Sequence, residues 1–332
     1  MAWLQARLGQ LAGLLDRASA RTESPRGRRL SLLLAAAVFV VAMVLSVRSL
    51  PEGDRELQWW AILTTGLVGI PLLVVLSGVE YTASAAVLGH RVRLRDSLAI
   101  ALYARAANLL PIPGAALVRM QALKRAGSSY GRAGAATMAT ALFWLAAALL
   151  VGGGVLLAFR PLIAAGFLAG GFLTTALGYA AVRSIVTRRD AAAEAVGRSA
   201  LLLGVEVAMV GIRGVLFWFV MIGFDIGGSF AGAMVLPVAV VLASAIGFFP
   251  AGLGVREVIS AGLAGLVGDT AASGALASGL DRLIALPVMA LIAGGLALAG
   301  HRLLPEAAAA AEADADAGAD GPADALSSPE TP

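Results

Sequence analysis

The residues in this sequence best able to do chemistry are charged side chains set inside long apolar runs. Arg256 and Glu257 follow Pro250-Ala-Gly252-Leu-Gly254, and Arg119 follows Pro113-Gly114 with Asn108 and Pro111 just upstream. Glu206 and Arg213 share one apolar segment; Asp281 and Arg282 share another. An ionised group at bilayer depth costs at least about 2.5–3.5 kcal/mol on insertion scales, so each of these needs a reason to be where it is. If a short helix starts after Gly254, its free amides and positive dipole end face the same way as Arg256, an arrangement suited to a phosphate. The alternative is a structural Arg–Glu pair that holds a broken helix to its neighbour. Arg119 has the same arrangement after Pro113-Gly114, or else snorkels toward Lys124 and Arg125 at an interface. Asn108 reads as a hydrogen-bonding group of a cavity or as a cap.

Glu206 and Arg213 lie seven residues apart, on one helix face but about 10.5 Å from each other. Both are therefore expected to meet partners on other helices, as ion pairs that hold the bundle. Asp281 and Arg282 point about 100° apart and need separate partners; Asp281 could support Arg282 or act as a counter-ion for Arg256. Glu80 and Arg105 are expected near the cytoplasmic ends of their segments, at the interface.

Other chemistries have little to work with. The chain has no cysteine and two histidines, His90 and His301, which disfavours a metal site or a catalytic triad, and no cofactor is expected. Gly152-Gly-Gly154 and Gly170-Gly171 are followed by no lysine and sit among apolar residues, so they read as close-packing sites rather than phosphate loops.

The elements that must position these residues follow from composition. Of 332 residues 59% are hydrophobic and 14% charged, with mean hydropathy +0.86; a soluble domain carries about 25% charged residues. The fold class is all-α: a polytopic membrane helix bundle. A bilayer core needs about 20 apolar residues per crossing. Leu30–Val47, Trp59–Val79, Ala133–Ala158, Leu162–Val182, Ser199–Gly223, Phe230–Phe249 and Ala272–Gly300 meet that need. Two more stretches, Ser97–Leu123 and Phe249–Val267, are interrupted by Pro, Gly and charge. Irregular backbone at that depth survives only where protein or a watery cavity covers it, so both are expected to be re-entrant or broken helices. Seven crossings result, or eight if one is added near the end. Trp59, Trp60, Trp144 and Trp218 are candidates for the interfacial belts.

Residues 1–29 form a basic, cytoplasmic N-terminal segment, residues 30–304 the transmembrane bundle, and residues 305–332 a tail with seven acidic and no basic residues that is expected to be disordered. Outside that tail, 25 basic residues face 14 acidic ones. In a membrane protein this excess marks cytoplasmic loops, here His90–Arg95, Lys124–Arg132 and Arg183–Arg198, rather than nucleic-acid binding. The location expected is the cell (inner) membrane.

Pro113-Gly-Ala-Ala-Leu-Val-Arg119 and Pro250-Ala-Gly-Leu-Gly-Val-Arg256 align without gaps at an offset of 137, and Gly131 and Gly268 share that offset. Interrupted segments at corresponding places in two halves point to a transporter's binding site. A transporter with Arg119 and Arg256 opening into one polar cavity is the reading that follows, with Glu206, Glu257 and Asp281 as their nearest acids. A membrane transferase acting on lipid, or a small-solute transporter, are the alternatives.

At Asn108-Leu-Leu-Pro-Ile-Pro-Gly114, Phe248-Phe-Pro-Ala-Gly-Leu-Gly-Val-Arg-Glu257 and Asp281-Arg282 the chain resembles the transmembrane region of the lysylphosphatidylglycerol synthase/flippase family. The second motif is the most specific. Ala116 and Leu117 stand where the family often has Gly-Glu, and Leu142-Phe-Trp144 where it often has Glu-Arg. The resemblance spans roughly Leu30 to His301, and 28 residues follow the bundle where bifunctional members carry a soluble aminoacyl-transfer domain. It implies translocation of a phospholipid or polyprenyl-linked headgroup rather than lipid synthesis, with membrane lipids as partners and an oligomer possible.

Overall fold

The computed structural model describes residues 44, 48, 56–107, 114–186, 191–246 and 254–298. Every described element is a helix: α1 (Trp59–Val87), α2 (Leu94–Ala107), α3 (Gly114–Arg125), α4 (Tyr130–Leu156), α5 (Pro161–Ile185), α6 (Ala191–Gly223), α7 (Phe230–Ile246), α8 (Val255–Leu266) and α9 (Ala271–Leu298). Five of them, α1, α4, α5, α6 and α9, are long and apolar enough to cross a membrane. The first expected crossing, Leu30–Val47, lies outside the described residues except Val44, as do the 1–29 segment and the 305–332 tail. The helices up to Ala290 form one compact unit, and the end of α9, from Leu291, lies in a second.

Local sequence explains the irregular stretches. Pro71 has no N–H for the carbonyl four residues back, and α1 winds wider, as a π-helix, through Thr64–Gly69 just before it. The Thr64 and Thr65 hydroxyls donate to the Trp60 and Ala61 carbonyls at 2.7 and 2.9 Å along this stretch. Gly254, with φ +79°, cannot continue a helix, so α8 starts afresh at Val255.

Two hairpins, α2–α3 and α7–α8, return to the side they came from; the first arm of the second is Phe230–Phe249, expected as a full crossing, whose helix of 17 residues is about 25 Å long and too short to span the core. At 1.5 Å per residue, α2 and α3 are about 21 and 18 Å long and α8 about 18 Å, all short of a ~30 Å hydrocarbon core. Helix α2 packs on α3, and α7 on α8. His90, before α2, hydrogen-bonds Ser128, after α3, at 2.7 Å. Asp269, after α8, accepts hydrogen bonds from the backbone N–H and the hydroxyl of Ser229, before α7, at 2.9 and 3.1 Å. Each hairpin thus begins and ends at one membrane face.

The offset of 137 extends far beyond seven residues. Shifted by it, α1 falls on α6, α2 on α7, α3 overlaps α8 and α4 overlaps α9, with α5 left between the two sets. The two sets are inverted. Gln58, at the start of α1, donates its N–H to the carbonyl of Gly223, at the end of α6, at 2.9 Å. At the other end Arg198, early in α6, donates to the carbonyls of Ala86 and Val87, at the end of α1, the latter at 2.7 Å. The equivalent helices α1 and α6 therefore run antiparallel along their length, as a two-fold axis in the membrane plane requires. Gly131 and Gly268 are not equivalent in detail: Gly131 is helical, whereas Gly268 sits in a turn with φ +89°.

Small residues let these helices approach. A Cβ on Gly152 would come within 2.7 Å of Val238, and one on Gly171 within 2.8 Å of Leu150, as expected for packing glycines; Gly154 meets open space. Trp59 and Trp60 are exposed at the start of α1. Trp144, expected at an interface, is instead half-buried in the middle of α4 among residues packed on the core. Trp218 lies edge-on to Phe230 at 5.4 Å, beside Phe219.

A close approach of backbone to backbone brings α9 against α8, where a Cβ on Gly274 would lie 2.4 Å from the Ser260 carbonyl oxygen. Backbone cannot swing aside as a side chain can. Gly274→Ala is expected to cost about 1–3 kcal/mol, read as a lowered thermal midpoint in detergent. Gly262→Ala, where a methyl meets open space, should be no less stable than the parent, because alanine is the better helix former.

Candidate functional site

The charged residues expected at membrane depth gather into two linked groups. On α6, Glu206 lies two turns before Arg213, about 10.5 Å along the axis, and each belongs to a different group. The first joins Glu80 of α1, Arg119 of α3 and Glu206. Arg119 grips Glu80 with both terminal nitrogens, the Nη2–Oε2 contact being 2.9 Å. Glu80 is 3% exposed and Glu206 0%. The second joins Asp281 of α9, Arg213 of α6 and Arg256 of α8. Asp281 Oδ2 accepts from Arg213 at 2.8 Å and from Arg256 at 2.6 Å, so one carboxylate oxygen serves two guanidinium groups. The Phe217 ring lies 5.3 Å from the Arg256 guanidinium and 5.9 Å from that of Arg213, with its π face as a further partner for both.

Arg105, near the end of α2, connects the two. It donates to the Leu73 carbonyl at 3.1 Å and the Ser77 hydroxyl at 2.7 Å, both on α1. It is also within electrostatic reach of Glu80 and Arg119 on one side and of Arg213 and Asp281 on the other. Arg282 lies 3.8 Å from Glu257 and feels Arg256 as well.

Several expectations change here. Glu80 and Arg105 are not interfacial; both are pulled inward by partners on neighbouring helices. The acid nearest Arg119 is Glu80, not one of Glu206, Glu257 and Asp281, because antiparallel packing sets α1 beside α6 where the hairpin carrying Arg119 arrives. Arg256 does take Asp281 as its counter-ion, and Arg213 finds the same carboxylate on α9. Glu257 also caps α8, since its carboxylate accepts the Gly254 N–H at 2.7 Å. Arg119 and Arg256 are not in equivalent local positions. Arg256 is the second residue of α8, whereas Arg119 is the sixth of α3, since Leu117 is helical where its counterpart Gly254 breaks the chain. Gly114 is buried at the start of α3. Asn108, Pro111, Pro113, Pro250 and Gly252 lie outside the described residues.

Five arginines, 105, 119, 213, 256 and 282, thus share a site with four carboxyl groups, those of Glu80, Glu206, Glu257 and Asp281. The Nε–H groups of Arg105, Arg119, Arg213 and Arg256 are buried without a hydrogen-bond acceptor among the described residues. Buried donors are rarely left unmade. This site has cationic donors to spare, which fits an anionic group. No cluster of three or more metal-ligating side chains occurs among the described residues. Glu80, Arg105 and Phe217 were the members least visible in sequence, because their sequence positions do not show which neighbouring helix reaches them.

The shared oxygen makes a test. Asp281→Asn leaves Arg213 and Arg256 buried with no opposing charge, and should destabilise the protein by about 3–5 kcal/mol. Adding Arg213→Met removes one uncompensated charge and should recover part of that loss in thermal unfolding. A double variant no more stable than the single would show that charge is not the cause.

A comparison with curated proteins found no match. A family model does match: the one described as lysylphosphatidylglycerol synthase TM region aligns with residues 30–294. That range takes in both hairpins and every charged group of the site, and the motifs around Arg119, Arg256 and Arg282 fall within it. This chain is a multi-pass membrane protein that belongs to the lysylphosphatidylglycerol synthase transmembrane-region family.

Proposed function

We propose that the protein is a lipid flippase of the cell (inner) membrane. It moves a phospholipid or polyprenyl-linked lipid with an anionic or zwitterionic headgroup through the polar site between its two hairpins. The observation that carries this reading is the excess of buried arginine donors where inverted repeats meet. Broken helices at corresponding places of two repeats are where transporters bind their substrates, and planar guanidinium groups match phosphate oxygens two at a time. Acyl chains would stay in the bilayer while the headgroup passes from one arginine group to the other.

Charge also supports an orientation. The face carrying His90, Lys124, Arg125, Arg183 and Arg198 is basic, whereas Asp225 and Asp269 belong to the other. By the positive-inside rule the basic face is cytoplasmic. With α5 crossing once between the repeats, the α2–α3 hairpin opens from the cytoplasm and the α7–α8 hairpin from outside.

The test is transfer of a headgroup-labelled phosphatidylglycerol across vesicles containing the purified protein. Arg256→Ala removes a charge-assisted contact worth about 1.5–3 kcal/mol, so transfer should fall roughly 10- to 100-fold. The fold should tolerate the change, because Asp281 keeps Arg213 as partner. Arg256→Lys should restore only part, since an ammonium keeps the charge without the two-point geometry. Parent-rate transfer by a folded Arg256→Ala protein would reject the proposal.

A further inference from the structure

Glu206 poses a problem that the anion site does not answer. Its carboxyl group is fully buried in the middle of α6, and neither oxygen has a hydrogen-bond donor among the described residues. Its electrostatic neighbours from other helices are Glu80 of α1 and Arg119 of α3. The Glu80 carboxyl is near enough to hydrogen-bond Glu206, yet two ionised carboxyls have no hydrogen to place between them. Arg119 cannot settle the matter. Both its terminal nitrogens are committed to Glu80. On its own helix the next charge, Arg213, is two turns away and committed to Asp281. Among the described residues of the other helices packed on α6, namely α4, α5 and α7, no ionisable group acts on it.

Two carboxyl groups in contact inside a water-poor site do not both ionise; they share a proton. Of the two, Glu206 is the one whose oxygens receive no hydrogen bond, since the terminal nitrogens of Arg119 are bonded to Glu80. We propose that Glu206 is a proton-binding site, protonated against Glu80 at neutral pH, whose occupancy decides whether Arg119 can accept an anion. With the proton in place, Glu206 donates its O–H to Glu80, and Arg119 faces a single negative charge. When the proton leaves to water, two carboxylates converge on Arg119 and oppose any phosphate oxygen brought to it. Proton and anion therefore bind with mutual support, as linkage requires. This rests on the flippase reading for the identity of the anion and adds to it a means of ion coupling.

The experiment separates the two claims. Infrared difference spectra of the parent at neutral pH should contain a carboxylic-acid carbonyl band that Glu206→Gln removes. Glu80→Gln frees Arg119 to turn to Glu206, which then ionises, so it should remove the same band. A parent without the band, or a band that survives both substitutions, overturns the proposal. In vesicles, transfer of labelled phosphatidylglycerol by the parent should slow as pH rises and Glu206 ionises, and that pH dependence should vanish in Glu206→Gln. A parent-like pH profile in Glu206→Gln also overturns it. If the band behaves as stated but no variant moves lipid at any pH, the proton site stands and the flippase reading falls.

Discussion

Charge inside a bilayer has to be answered by charge or by hydrogen bonds, and the rest of this structure is organised around supplying those answers. Glu80, Glu206, Glu257 and Asp281 are each at most 3% exposed, a burial that an isolated carboxylate would make prohibitive. Where the partner is an arginine, it comes from a different helix. Asp281 on α9 is met by α6 and α8, and Glu80 on α1 is met by α3. Remove α1, α3 or α9 and an ion is stranded. The same network therefore fixes the packing and assembles the polar site. That is economical in a membrane, where lipid is as apolar as leucine and gives helices little hydrophobic reason to associate.

The backbone is symmetric and the chemistry is not. The inverted repeat brings two hairpins toward each other from opposite faces, and at matching sequence positions each carries an arginine, 119 and 256. What surrounds them has diverged. Glu80 of the first repeat is matched in the second by Phe217, which gives a ring face rather than a carboxylate to the nearby guanidinium groups. Asp281 of the second is matched in the first by Trp144. One group consequently has two carboxyls around one arginine, and the other two arginines around one carboxylate. A headgroup moving between them would leave a proton-sensitive, more acidic seat for a more cationic one.

The helical class and five of the crossings were legible because length and apolarity decide them, whereas Phe230–Phe249 is apolar enough to look like a crossing and is instead a hairpin arm. The broken segments were legible because Pro and Gly leave an imprint that lipid-facing helices lack. The repeat showed in seven residues, of which Pro, Val and Arg match, although four helices per half obey it; apolar helices of equal length carry almost no pattern beyond their length. The pairing of charges was legible only in part. That Asp281 would neutralise Arg256 follows from the scarcity of acids at that depth. That Glu80 would take Arg119 does not, because the choice depends on α1 lying antiparallel beside α6, and nothing in either helix alone states that. Glu80 and Arg105 looked interfacial for the same reason: distance from a helix end along the sequence says nothing about which neighbour reaches over it.

Glu257 shows how one motif divides its labour. Gly254 must break the chain so that Arg256 enters the site at a helix start, and breaking it frees an N–H that the membrane cannot hydrate. Glu257 accepts that N–H. Its charge, left at the first turn of α8, is favoured there by the helix dipole and lies within 3.8 Å of Arg282 on α9. The acid next to Arg256 thus turns away from it, and Arg256 is left to the more distant Asp281. An arginine satisfied by its neighbour in sequence would be locked. One shared between an aspartate on another helix and a ring face keeps a nitrogen to offer, and the Gly-x-Gly-Val-Arg-Glu sequence is arranged to produce that difference.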